Sequence, residues 1–388
     1  MYHFIGIKDS FICSLMEALV LFGYKVTASD SEKLIEEKSF LEDKGIKLLK
    51  EEDVVLNKEL IVVCAKPECE NALLKEADEK NIITYSYQNL IEKLSEKFKT
   101  VTVAGSHGKT NLSWRLSKVL DEFKGCNYVI DGNVNASAKN PFLVIEAKDA
   151  NKDFLYLTSY YSIVSNIEHI NKNDYKTREE LIDAYSAYAN NVQKIVIANG
   201  DSPYPRALDV NKSIFYYGTD EDNDIHARDV KYTKKGTSFD VFVEDNYYGH
   251  FDLPIYGKTM LLNNLAIIGI CYYERVPAKE LSKLLKDVKS LEGYFKIVKK
   301  DKATFIYDNA SHPNEIKTVI RAAEQKFDTK PFEVYYIKDE CYNDQNKEKF
   351  DSLEKEFKFK IINSFDEIKP KENNIVVVSS NIMNKVEG

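Results

Sequence analysis

The feature that most constrains this chain is a glycine-bounded turn set between a strand-like and a helix-like run. Val101-Thr102-Val103-Ala104 is apolar and β-branched, Gly105-Ser106-His107-Gly108-Lys109-Thr110 follows, and Leu112 to Phe123 carries apolar residues at helical spacing. A strand that passes through glycines into a helix N-terminus is a parallel-sheet device, which directs the chain to the α/β class. Glycines let backbone N–H groups approach phosphate oxygens, and the helix dipole favours an anion there. Lys109 is placed to meet β/γ-phosphates and the Thr110 hydroxyl to ligate Mg2+. The spacing is two residues shorter than the usual phosphate loop, so a turn that only caps a helix stays open as the plainer alternative.

The rest of the chain continues the α/β theme. Residues 2–7, 26–28, 60–64 and 82–85 read as strands, with Leu15, Ala18, Leu19 and Phe22 at helical spacing between the first two. A charged helix around 89–99 leads into the phosphate-loop strand, and 141–147, 161–167, 194–200 and 213–218 are further strand candidates. Residues 224–253 alternate in period two, as an antiparallel excursion would, and 257–291 look helical. A last α/β segment follows with strands at 303–309, 333–337 and 374–380. Boundaries are expected near 97 and 295, giving domains 1–97, 98–295 and 296–388. At 388 residues the chain is too long for one ordinary core.

Composition narrows the function classes. A formal charge of −8 without a sustained basic block argues against nucleic acid as partner. No apolar run approaches the roughly 20 residues that cross a bilayer, and MYHFIGIKDS lacks the pattern of an export signal. Cysteines 13, 64, 69, 126, 271 and 341 have no paired spacing and read as reduced thiols. The expectation is a cytoplasmic protein with no membrane partner.

Taken together, several ordered blocks resemble the Mur ligase family, most closely its alanine-adding branch in low-GC bacteria. They are YHFIGIK, GYKVTASD at 23–30, AGSHGKT, VIEA at 144–147 and SNIE at 165–168. EDNDIHARDV at 221–230, GTSFDVFV at 236–243, NNLAIIGICYYE at 263–274 and YDNASHPNEI at 307–316 continue the likeness. The resemblance implies three domains: a Rossmann-like one for a UDP-sugar, a central P-loop ATPase-like one, and a small α/β C-terminal one, here shortened. It implies ATP and Mg2+ as cofactors, and amide formation through an acyl-phosphate. The small-molecule substrates are a UDP-sugar carboxylate and an amino acid, and the expected assembly is a monomer or homodimer.

Carried over residue by residue, the resemblance assigns Gly105, Ser106, His107, Gly108, Lys109 and Thr110 to the ATP loop, with Lys109 also catalytic. Thr110 and Glu146 become magnesium ligands, with a solvated strand-end glutamate as the plainer reading of Glu146. Asn171 falls where the family has a second metal-binding histidine, and His169, two residues early, is the candidate replacement. The adenine-contacting segment is Gly257-Lys258-Thr259-Met260, without its usual His-Asn pair, although Asn263 remains for the nucleotide. Lys296 stands near the position of a family arginine. Asp308 and His312 match the family's aspartate and second histidine, with catalysis and structural capping both open.

Other positions depart further. Lys8, Asp9 and Phe11 occupy a loop expected to be glycine-rich, and Phe11 with Ile12 is expected to fill the diphosphate cleft. The segment Lys338-Asp339-Glu340-Cys341 lacks the family's His and Arg. Two readings follow: an active ATP-dependent ligase, or a catalytically impaired relative that binds nucleotide or a partner. A P-loop NTPase unrelated to cell-wall chemistry is a distant third.

Overall fold

Short β-branched runs alternating with amphipathic helices form parallel strands joined by crossover helices, and the chain is α/β as the sequence predicts. The computed structural model describes residues 1–7, 10–29, 38–65, 71–130, 132–170, 172–300, 302–328, 332–339, 341–343, 346–370, 372 and 374–380. They divide into two compact units, Met1–Ala198 with Pro203–Ile214, and Asn199–Ser202 with Phe215–Gly388.

In the first unit, a parallel sheet runs in the order Lys47–Leu48, Val26–Ser29, Tyr2–Ile5, Ile61–Cys64, Ile83–Ser86. The helix Ser10–Leu21 buries Phe11, Ile12, Leu15, Met16 and Leu19. A second set of strands runs in the order Ile195–Asn199, Tyr161–Val164, Lys99–Ala104, Phe142–Ala147, Cys126–Ile130, Asn133–Asn135. All its pairs are parallel except the last. Every residue of Phe142–Ala147 is buried, as expected of a strand covered on both faces.

In the second unit, the period-two segment forms the strands Ile225–Thr233, Gly236–Val243 and Asn246–Leu253, paired antiparallel in sequence. The helical stretch resolves into Lys258–Tyr273 and Ala278–Asp287, with Pro277 as the N-cap of the second. Lys258–Tyr273 is apolar all round and buries Leu261 and Asn263 to Cys271, which marks a core helix. A further sheet runs Lys296–Lys300, Ala303–Asp308, Ile375–Ser379, Phe332–Ile337, Phe359–Ile362, parallel after its first pair. Lys296–Lys300 is an edge strand that sequence reading leaves out; its lysines suit an edge that must not recruit another strand.

The helix Pro313–Phe327 starts at a capping box of His312 and Glu315 and packs Ile316, Ile320 and Ala323 with Val334 and Val377. Near its end Gln325 joins three backbone segments of the same unit. Its Oε1 accepts the Gly257 N–H at 2.6 Å, and its Nε2 donates to the Thr233 and Gly236 carbonyls, each at 3.1 Å, and to Thr237 Oγ1 at 3.2 Å. Among the described residues no helix is long and apolar enough to cross a membrane.

Candidate functional site

Three neighbouring parallel strands deliver the site. Lys99–Ala104 lies between Tyr161–Val164 and Phe142–Ala147, with Ala104 in register with Val164 on one side and Ala147 on the other. Their carboxyl ends therefore emit the 105–108 loop, the 165–168 segment and Glu146 side by side, the edge where open parallel sheets bind ligands.

The loop is held against 165–168. The Ser106 N–H donates to the Asn166 carbonyl at 3.2 Å, and Ser106 Oγ donates to the Glu168 carbonyl at 2.9 Å while accepting the Glu168 N–H at 2.7 Å. Asn166 accepts the His107 N–H at 3.1 Å and returns its amide to the His107 carbonyl at 2.9 Å. A Cβ on Gly105 would lie 2.2 Å from Ser165 Oγ, so only glycine lets the two segments meet. Gly108 has φ 72°, the left-handed region, and caps Lys109–Lys124 without a side-chain hydrogen bond. Lys109 Nζ donates to the Gly105 carbonyl at 2.5 Å, which folds the ammonium back over the loop. His107 Nε2 lies 2.9 Å from Glu168 Oε1.

Glu146 is 4% exposed, opposite Val103 at the strand's end. A carboxylate this buried is not the solvated strand-end residue of the plainer reading. The Thr110 hydroxyl and Glu146 carboxylate are hard oxygen donors of the kind magnesium takes. A glycine turn at a helix N-terminus, an ammonium folded over it and oxygen donors of that kind fit a Mg-nucleotide. His169 is engaged elsewhere: its Nε2 donates to the Tyr175 carbonyl at 2.6 Å, so Nδ1 is the ring atom left to face a cation. Asn171 lies outside the described residues.

Sequence reasoning did not find the tyrosine support beneath the loop. Tyr185 donates to Asp149 Oδ2 at 3.2 Å and Tyr175 to the Asp149 carbonyl at 2.7 Å. Burial, and secondly Asp149, push the Tyr185 hydroxyl well above its ordinary range, which keeps it a donor. The buried tyrosines in LIDAYSAYAN recur at core spacing, so apolar pattern gives no sign of their polar tips.

Phe11 and Ile12 are buried in the helix Ser10–Leu21, beside Glu146. With Tyr87, Ile145, Glu146 and Lys148 they line a cavity of about 20 Å³, room for one water molecule. Lys148 Nζ stands 4.9 Å from the centre of the Phe11 ring. Lys8 and Asp9 lie outside the described residues.

The remaining candidates belong to the second unit. Asn263 is buried in Lys258–Tyr273, and Lys296 opens its edge strand opposite Tyr307. Asp308 is buried; its oxygens accept the Phe295 and Ala310 N–H groups, each at 2.8 Å. His312 accepts the Asn314 N–H as a helix cap. The Asp308 carboxylate thus accepts from backbone donors, and His312 turns Nδ1 to its helix with Nε2 3.4 Å from Lys349 Nζ, rather than the two forming the mutual pair that their spacing suggests. In the Gly257–Met260 segment, Gly257 is bound by Gln325, Thr259 Oγ1 lies 3.2 Å from Thr318 Oγ1, and Lys258 pairs with Asp201 at 2.9 Å. Asp339 accepts the Cys341 N–H at 2.8 Å, and Glu340 lies outside the described residues.

Comparison with known proteins identifies the family. Residues 155–271 match the model of the Mur ligase middle domain. The chain is 33% identical to the UDP-N-acetylmuramate–L-alanine ligase of Lactiplantibacillus plantarum, over 85% of this chain and 76% of that one. Against the enzyme of the same name from Levilactobacillus brevis the identity is 32%, over 85% and 75%. Among solved structures, the UDP-N-acetylmuramate–alanine ligase of Thermotoga maritima aligns with a TM-score of 0.76 at 16% identity, over 98% of this chain and 95% of that one. MurF ligase from Thermotoga maritima in complex with ADP gives 0.66 at 16% identity, over 98% and 97%.

Proposed function

The chain belongs to the Mur ligase family, and from that premise we propose that it is an ADP-forming ligase joining UDP-N-acetylmuramate to L-alanine. The observation that carries the reading is the glycine cradle beside a buried Glu146, with Lys109 folded over it. In the proposed reaction a substrate carboxylate oxygen bonds to the γ-phosphorus of ATP and ADP departs. The amino group then attacks the acyl carbon, losing a proton, and phosphate leaves with the second bond broken.

The residues divide this work. N–H groups at the start of Lys109–Lys124 and the Lys109 ammonium offset charge on the β/γ-phosphates. Thr110 and Glu146 would hold magnesium, which supplies charge neutralisation when bound. His169 reaches a cation only through Nδ1. Gly105, Ser106, His107 and Gly108 shape the cradle, and Asn263 and Lys296 serve the nucleotide. Asp308 positions Lys296 by anchoring the N–H of Phe295, the residue before it, and His312 acts as the helix cap. The division into domains 1–97, 98–295 and 296–388 accompanies this reading, as does cytoplasmic action on small molecules.

Phosphate release with Mg-ATP, UDP-N-acetylmuramate and L-alanine tests it. Release is expected to require all three and to fall by roughly 100-fold or more in Lys109→Ala, the range lost with a phosphate-stabilising cation. No heat on titrating Mg-ATP, or release indifferent to the amino acid, would overturn the reading.

A further inference from the structure

Glu168 has been given no part in the chemistry, yet its carboxylate reaches the middle of the phosphate loop. We infer that Glu168 is a positioning residue for the ATP cradle, acting through His107. The inference rests on the nucleotide-binding reading of the same loop.

His107 sits between Ser106 and Gly108, where its side chain is the one that reaches the Glu168 carboxylate. Its backbone N–H is taken by Asn166 and so is not available to phosphate. That leaves the N–H groups at the helix start as the anion donors, and their aim depends on where the 107–108 peptide is held. The bonds of the Ser106 hydroxyl to the Glu168 backbone N–H and carbonyl fix one end of the loop whatever side chain stands at 168. The 107–108 peptide is held by the Asn166 amide through the His107 N–H and carbonyl, and the imidazole adds a side-chain anchor, its Nε2 meeting Glu168 Oε1 at 2.9 Å with the two side chains 20% and 25% exposed. Such a partly shielded, charge-assisted contact restrains the ring more than an open surface pair does. A cradle already in its binding shape need not be ordered when phosphate arrives, and its donors stay aimed as charge moves to the leaving oxygen. Placing a carboxylate near a triphosphate is otherwise unfavourable, and the imidazole offsets it.

Steady-state kinetics on the full chain separate positioning from general structure. Glu168→Ala should lower kcat/KM for ATP at least tenfold while leaving KM for the amino acid unchanged. Glu168→Gln, which keeps an oxygen for the Nε2 proton, should stay within about threefold of the parent protein. Wild-type kcat/KM for ATP in Glu168→Ala, or an equal loss in both variants, would overturn the inference. Hydrogen exchange of the loop amides gives a second readout that does not need turnover. Faster exchange at 106–108 is expected in Glu168→Ala but not in Glu168→Gln, and unchanged protection in Glu168→Ala overturns the role. If the parent protein itself releases no phosphate, the ligase reading falls, and the exchange comparison still judges whether Glu168 holds the loop.

Discussion

Asp308 shows what a site-like residue does when the backbone claims it. Burial raises its carboxyl to about 7, against the pull of the Phe295 and Ala310 N–H groups, and Glu315 adds to the rise. A folded pKa above the unfolded value means that the native state holds a proton which the unfolded chain has released. The stabilisation is therefore full below about pH 3.8 and is lost as pH rises through about 7. The loss is on the order of a few kcal/mol. Thermal melts between pH 4 and 7 should show a downward slope that Asp308→Asn flattens; parallel slopes in the two proteins would refute it. The same residue shows why activity cannot be read from a motif: YDNASHP fixes the types of Asp308 and His312 but says nothing about which backbone donors lie opposite.

At the scale of elements, Gln325 ties the end of Pro313–Phe327 to the antiparallel strands and to the start of Lys258–Tyr273. Gln325→Ala should destabilise the protein by about 1–3 kcal/mol, the net value of a few partly exposed hydrogen bonds. Gln325→Glu should be worse despite its shape, because a carboxylate would face two carbonyls where an N–H pair now donates. A urea midpoint for the Glu variant equal to that of the parent protein would count against this account. The elements themselves were largely legible, since period-two alternation over 224–253 and β-branched runs such as IVVVS report burial directly. The turn from strand Lys99–Ala104 into helix Lys109–Lys124 was legible for the same local reason, its glycines and Lys-Thr being contiguous. What stayed hidden depends on distant partners. His169 reads as a spare ligand until the Tyr175 carbonyl meets it, and Gln325 is an ordinary polar helix residue until three loops converge on it. The edge strand Lys296–Lys300 escaped because four of its neighbours in sequence are charged or glycine and its own pattern is mostly lysine.

Across the whole molecule, two buried groups answer pH in opposite senses. His3 is fully buried between Thr27 Oγ1 at 2.8 Å and Ser29 Oγ at 3.1 Å, and burial lowers its pKa to about 4. A lowered imidazole contributes stability that is present above about 6.5 and lost as pH falls toward 4. His3 belongs to the first unit and Asp308 to the second. Acidifying from 6.5 to 4.5 should thus weaken the first unit and strengthen the second. The single tryptophan, Trp114, lies in the first unit, so its fluorescence melt should move down in acid while a transition seen only by circular dichroism moves up. Coincident shifts of both signals would contradict the prediction.

The contact between Gly105 and Ser165 also has a bearing on descent. One volume is shared by two positions sixty residues apart, since the Cβ of any other residue at 105 would lie 2.2 Å from the Ser165 hydroxyl, well inside van der Waals contact. A side chain at 105 requires the Ser165 hydroxyl to move aside or be lost, and the Asn166 amide at 3.3 Å and backbone N at 3.4 Å must also give way. The two positions are therefore coupled: a change at 105 calls for room made at 165 and 166.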